Sequence, residues 1–294
     1  AGCAGSGKSV IAMYKAQQIL DAKGDVILIA FTKSLNRYMQ QGKENTRGGR
    51  FYYHWQWLKQ GMPKADYIIV EEIQDFDEGE IVQFVHAARK CFFFFGDTAQ
   101  SIYKTFGKQT MTIDQIASMT GVNVSRLYNN YRLPKPVAKI TQEYLGLTEN
   151  NDEVREYSDS LYFSKEKVLP VFINCDSKQS QINHIISIIT DNKYRNVGIL
   201  VPENDLVLEL MTALTTAKFA CEFKYNAGYN DSKNRDTLNF KTEYPKLMTY
   251  HSAKGLQFET VILPFYSGAN NVDEKKALYV AMNRTYRNLN VLYD

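Results

Sequence analysis

The sequence predicts an α/β fold in which parallel sheets are covered by helices on both faces and repeated in two domains. Three observations carry the prediction. Apolar runs of strand length recur along the chain with helix-length stretches between them. A glycine-rich loop, Gly2 to Ser9, opens directly into the first helical stretch. Acidic and amide side chains gather just after the apolar runs, at the strand ends where open α/β sheets place their sites.

Taken in order, Lys8 to Leu20 reads as a helix, Asp21 to Asp25 as a turn containing Gly24, and Val26 to Phe31 as a buried parallel strand. The rhythm repeats with Lys33 to Gln41 as helix, Tyr67 to Val70 as strand, Glu80 to Ala88 as helix and Cys91 to Phe95 as strand. Residues 142–167 are polar and charged with no clean period, which marks a surface segment. The domain boundary is placed near Leu127, giving domains 1–126 and 127–294. A second series of strands follows: Val171 to Asn174, Val197 to Val201, Leu247 to Tyr250, Thr260 to Leu263 and Leu289 to Tyr293. Between them Gln179 to Thr190, Asp205 to Ala217 and Lys275 to Thr285 read as helices. Two similar domains facing one another across a cleft are expected.

Composition bounds the function without choosing it. The 294 residues suffice for two domains, and 44% hydrophobic content is that of a globular chain with real cores. A net charge of +3 advertises no basic tail, so any nucleic-acid groove must come from local clustering. The four cysteines form no CxxC and stand near no histidine pair, which disfavours a zinc site or a disulfide framework and makes a reduced, cytoplasmic setting the expectation. No apolar run approaches the roughly 18 residues of a membrane span, and no signal sequence opens the chain. Only Ala1 precedes Gly2, so the strand that should feed the glycine-rich loop is expected upstream of this sequence.

The loop has the pattern GxxxxGKS, which arises by chance in on the order of one chain in a hundred of this length. Gly2, Gly5 and Gly7 let backbone N–H groups, with that of Ser6, converge on phosphate oxygens, helped by the partial positive charge of the following helix. Lys8 would reach the outer phosphates, and the Ser9 hydroxyl would ligate Mg²⁺. The strand ending at Val70 delivers Glu71 and Glu72 together: one carboxylate can hold the metal while its neighbour orients and deprotonates water. Asp97 and Gln100 follow the next strand, with Gln100 either sensing the terminal phosphate or serving as a satisfied polar residue. Arg132 and Arg284 suit delivery of positive charge across an interface, although arginine is unremarkable on any surface.

Seven stretches fall in one order: AGCAGSGKS, FTKS, IIVEEIQD, GDTAQSIY, NNYR, HSAKGLQFE and YVAMNRTYR. Over nearly the whole chain this set resembles the UvrD/Rep type of superfamily 1 helicases. The resemblance implies two RecA-like domains of the P-loop NTPase kind flanking an ATP cleft. It further implies an ATP- and Mg²⁺-dependent motor that moves 3′ to 5′ on single-stranded DNA. It makes Lys8 and Ser9 the phosphate-loop pair, Glu71 the metal ligand, Glu72 the catalytic acid and Gln100 the coupling glutamine. Tyr131 would stack on the ATP base, Gly255 would sit near the γ phosphate, Gln257 would stand at the ribose, and Arg132 and Arg284 would be arginine fingers. Phe31, Thr32, Tyr53, His54, Tyr103, Phe106, Thr249 and His251 match positions that line the single-strand track.

Departures from the family pattern qualify the expectation. Glu71 stands where the family has aspartate, Gln257 where it has glutamate, and Lys104 to Phe106 where it has an aromatic residue and arginine. Only Gly42 to Pro63 and Tyr225 to Tyr244 occupy the places of two accessory insertions. Such a core is expected to move along a strand yet separate duplexes weakly, unless a protein partner or further domains supply that step. The aromatic segment Phe51 to Leu58 fits either base contact or a packed core helix. An ATP-gated sensor or regulatory subunit that does not unwind duplex by itself is the alternative reading.

Overall fold

A computed structural model describes residues 1–41, 49–102, 109–145, 164, 168–226 and 232–294. These fall into two compact units, residues 1–132 and, after them, 133–145 with 164 and 168–294.

In the first unit the chain runs α1 (Lys8–Asp21), β1 (Val26–Ala30), α2 (Lys33–Gln41), β2 (Arg50–Tyr53), α3 (His54–Lys59), β3 (Ala65–Val70), α4 (Glu78–Ala87), β4 (Ala88–Phe94) and α5 (Ile113–Thr120). The strands form one parallel sheet in the order β2-β1-β3-β4. Leu28 of β1 lies opposite Ile69 on one side and Phe51 on the other. Every residue of β1 is buried, as a strand covered on both faces requires. Ala12, Ala16 and Ile19 of α1 pack one face with Leu35 and Met39 of α2. Trp57, Phe76, Ile81, Phe84 and Ile116 pack the other.

Local chemistry starts and stops these helices. Asp77 accepts from the Glu80 N–H while the Glu80 carboxylate accepts from the Asp77 N–H, a reciprocal cap that fixes the start of α4. Thr112 and Gln115 do the same for α5, which ends at Gly121 in the left-handed conformation.

The second unit contains α6 (Lys135–Leu145), β5 (Val171–Asn174), α7 (Lys178–Asp191), β6 (Val197–Val201), α8 (Asn204–Thr216), β7 (Glu222–Tyr225), β8 (Arg235–Asp236), β9 (Lys246–Thr249), β10 (Phe258–Leu263), α9 (Val272–Met282) and β11 (Thr285–Tyr293). Its sheet runs β5-β11-β10-β6-β9-β7-β8, parallel throughout except for the short β7–β8 pair. Ile182, Ile185, Val207, Leu210 and Leu214 from α7 and α8 cover Ile199, Leu247 and Ile262 of the central strands.

Most expected elements stand where the pattern puts them, with instructive differences. The helix α4 passes straight into β4 at Ala88, so the strand begins before the apolar run at Cys91. β11 begins at Thr285 rather than Leu289 because its polar residues are satisfied sideways. Thr285 Oγ1 donates to the Glu259 carbonyl at 2.9 Å, and Asn288 Nδ2 donates to Thr260 Oγ1 at 3.0 Å. The first unit extends to Arg132, past the boundary placed near Leu127, because this stretch is bonded to the glycine-rich loop. The Leu127 N–H donates to the Ala1 carbonyl at 2.8 Å and the Tyr131 N–H to the Gly5 carbonyl at 3.0 Å. No helix among the described residues is long and apolar enough to cross a membrane.

Candidate active site

The site is built where the glycine-rich loop meets the ends of β3 and β4. Gly5 and Gly7 hold positive φ values of 81° and 89°, which L side chains rarely adopt, so the loop can curl tightly ahead of α1. Ser6 is buried, and its Oγ has no hydrogen-bond partner among the described residues. Lys8 opens α1, and its Nζ donates to the carbonyls of Gly2 at 2.6 Å and Cys3 at 3.0 Å.

One residue on, Ser9 Oγ donates to Glu71 Oε2 at 3.2 Å. The Glu71 side chain is 1% exposed, and its Oε1 has no hydrogen-bond partner among the described residues. Burial, reinforced by the neighbouring Glu72 charge, pushes the Glu71 carboxyl up to about 8, against the opposing pull of Lys8 and the Ser9 hydroxyl. A bare buried carboxylate oxygen beside a hydroxyl is an all-oxygen donor set that suits a hard divalent cation such as Mg²⁺.

Glu72 carries a φ of 56°, the left-handed conformation in a residue that is not glycine. Strain of this kind persists only where surroundings enforce it, and here a single tight helical turn, Ile73–Asp75, begins at once. Gln74, fully buried, donates from Nε2 to Glu72 Oε2 at 2.5 Å and accepts from the Asp97 N–H at 2.9 Å. Gln100 Nε2 in turn donates to Asp97 Oδ2 at 2.5 Å. One hydrogen-bonded chain thus ties the acid after β3 to the amide after β4. Gln74 was not singled out in the sequence, although its place two residues beyond Glu72 was the available signal.

The end of the first unit closes on the same loop. Asn130, 2% exposed, donates from Nδ2 to the Ala4 carbonyl at 2.7 Å. Tyr131 is 59% exposed, with its hydroxyl accepting from Asn129 Nδ2 at 3.1 Å. Arg132 follows, half-buried.

The residues assigned to a nucleic-acid track fare unevenly. Phe31 is half-buried and stands edge-to-face against Phe76 at 4.9 Å. Thr32 Oγ1 accepts from the Leu35 N–H and so caps α2, while Tyr53 sits half-buried at the end of β2. His54 requires correction: it is 2% exposed, packed on Phe76 and Phe84, with Nδ1 3.6 Å from Glu80 Oε1. A ring so enclosed joins β2 to the core and offers no face to a base. Its neighbour Trp55, in the aromatic segment that fits either base contact or core packing, is 52% exposed. Tyr103 and Phe106 lie outside the described residues.

In the second unit Thr249 is buried at the end of β9, and its Oγ1 accepts from the Ser252 N–H, so it fixes a turn instead of lining a surface. His251 and Gln257 are half-buried, and Gly255 has a φ of 82°. Arg284 is buried just after α9, with Nε donating to the Val280 carbonyl at 2.8 Å.

Known proteins share this fold and family. A helicase of PRRSV has a similar structure over 100% of this chain and 51% of its own, with 13% identity and a TM-score of 0.51. An Arterivirus nonstructural protein 10 helicase, solved in complex with DNA, is similar over 100% of this chain and 59% of its own, with 11% identity and a TM-score of 0.50. At those identities the likeness establishes the fold: two RecA-like units of parallel-sheet α/β type. A Mycoplasma pneumoniae protein named "Probable DNA helicase II homolog" is 25% identical over 185 residues, 58% of this chain. The chain spans about a quarter of that relative's length, 26%. The family described as "Viral superfamily 1 RNA helicase core domain" matches residues 1–222. With the phosphate loop, paired acids and coupled glutamines of the first unit all inside that match, the chain belongs to the superfamily 1 helicase core family.

Proposed function

We propose that the chain is the motor core of a helicase, hydrolysing ATP to move along single-stranded nucleic acid. The observation that carries this reading is the convergence of Lys8, Ser9, Glu71 and Glu72 at one end of a parallel sheet. In the proposed cycle Lys8 leaves the Gly2 and Cys3 carbonyls for the outer phosphates. Ser9 and Glu71 would hold Mg²⁺, which would supply charge neutralisation for the phosphoryl transfer. Glu72 accepts the proton of the attacking water, and Gln74 keeps its carboxylate in place. Gln100 reports on the terminal phosphate through Asp97, Tyr131 stacks on the base, and Gly255 and Gln257 line the nucleotide from the second domain. Arg132 and Arg284 stabilise the charge that develops in the transition state.

The strand is read as DNA moved 3′ to 5′, supported by the resemblance to the UvrD/Rep type and by the Mycoplasma relative's name. The matching family's description favours RNA, so both polymers belong in the test. Phe31, Tyr53 and His251 are the retained track candidates. The short segments where accessory insertions would stand support translocation with weak duplex opening.

ATP turnover should be measured with no polymer, single-stranded DNA, duplex DNA and RNA, alongside opening of a duplex with a 3′ tail. A motor predicts stimulation at least tenfold by one single-stranded polymer. Turnover indifferent to every polymer would sink it, and strong stimulation without strand opening would favour the sensor reading.

A further inference from the structure

We propose that Asn130 is a positioning residue, a latch through which the conformation of the phosphate loop sets the main chain that presents Tyr131 and Arg132. The side chain is engaged at both ends. Nδ2 donates to the Ala4 carbonyl at 2.7 Å, and Oδ1 accepts from the Arg132 N–H at 3.1 Å. This pair fixes the orientation of the amide, because a flipped group would set NH₂ against an N–H and oxygen against a carbonyl. At 2% exposure neither bond is readily replaced by water.

The backbone reinforces the latch. The Leu127 N–H donates to the Ala1 carbonyl at 2.8 Å and the Tyr131 N–H to the Gly5 carbonyl at 3.0 Å, so the segment lies along the loop residue by residue. Gly5 is required at this contact: a Cβ there would meet Asn130 Oδ1 at 2.4 Å. The loop also has reason to move. Lys8 Nζ is held by the carbonyls of Gly2 and Cys3, directly before Ala4, and phosphate binding would draw it away. A shift of the loop then pulls on the Ala4 carbonyl, and Asn130 passes the displacement to the Arg132 main chain two residues on. Tyr131 and Arg132 are thereby held in register with an occupied site.

This inference rests on the proposed roles of the phosphate loop and Arg132, and a double-mutant cycle separates the two. Turnover at saturating single strand and binding of a fluorescent ATP analogue are measured for wild type, Asn130→Ala, Arg132→Ala and the double variant. Circular dichroism and thermal midpoint serve as the check on folding. The latch predicts that Asn130→Ala lowers kcat about tenfold while nucleotide affinity changes less than about threefold. In the Arg132→Ala background the same change should cost less than about twofold, because its effect runs through Arg132. A full tenfold loss in both backgrounds, or affinity falling as far as kcat, assigns Asn130 a merely structural role and overturns the latch. Arg132→Ala turning over like wild type would overturn both the latch and the proposed role of Arg132, whereas a slow Arg132→Ala with additive effects overturns the latch alone. Asn130→Ser, a neutral side chain too short to span both partners, carries the same expectations and serves if the alanine variant does not fold.

Discussion

At the residue scale two neighbouring acids are held differently. Glu71 is buried with one bare oxygen, and Glu72 is turned by a left-handed backbone onto Gln74. Replacing Glu71 with Gln removes a carboxyl that burial makes costly to ionise and that folding must therefore protonate near neutral pH, so the nucleotide-free protein should melt no lower than wild type. Magnesium-dependent turnover should nevertheless drop by at least about tenfold; differential scanning fluorimetry and a phosphate-release assay read the two. The cysteines give an independent check on burial. Desolvation pushes the Cys221 thiol up to about 12, so at pH 8 it stays protonated and should resist iodoacetamide, whereas exposed Cys91 should be alkylated first in a mass-spectrometric time course. Preferential labelling of Cys221 would contradict the seating of its thiol, just before β7, against the Pro245 carbonyl. That an acid should stand at the end of β3 near the phosphate loop was legible from the apolar run before it, whereas the choice of Glu71 as the neighbour of Ser9 came from the family resemblance. The bond from Gln74 to Glu72 was not, because the pattern gives a side chain's place and not its partner.

At the scale of elements, the aromatic segment Phe51 to Leu58 shows what the pattern leaves open. It divides into the end of a strand and a short helix, with Trp57 fully buried against Phe84 and Trp55 more than half exposed. Trp57→Ala should destabilise the first unit by about 3–5 kcal/mol, as a large core truncation does. Trp55→Ala should leave the thermal midpoint nearly unchanged, and weaken single-strand binding by roughly 1–3 kcal/mol if that ring stacks on a base. Denaturant unfolding and fluorescence anisotropy distinguish the pair, and equal destabilisation by both would refute the division. The two tryptophans differ by two positions in a sequence apolar on several sides, so periodicity alone could not assign them. Parallel strands such as Val197–Val201 were plain for the opposite reason: five consecutive apolar residues leave no face to choose. β11 hid its first half because Thr285 and Asn288 bond sideways and make a polar stretch behave as strand.

At the scale of the whole molecule, the sequence announced two parallel-sheet units correctly, because alternating strand and helix periods leave few other topologies. It placed the division too early, since nothing in the run Leu127 to Arg132 signals hydrogen bonds to residues more than a hundred positions away. The functional claim is that the acids of the first unit hydrolyse ATP when a single strand is bound. The most direct test is single-strand-stimulated ATP turnover of wild type and Glu72→Gln, each paired with a nucleotide-binding measurement. Glu72→Gln is expected to bind ATP within about threefold of wild type while stimulated turnover falls by at least about a hundredfold. A Glu72→Gln variant that still turns over ATP at the wild-type stimulated rate would contradict it.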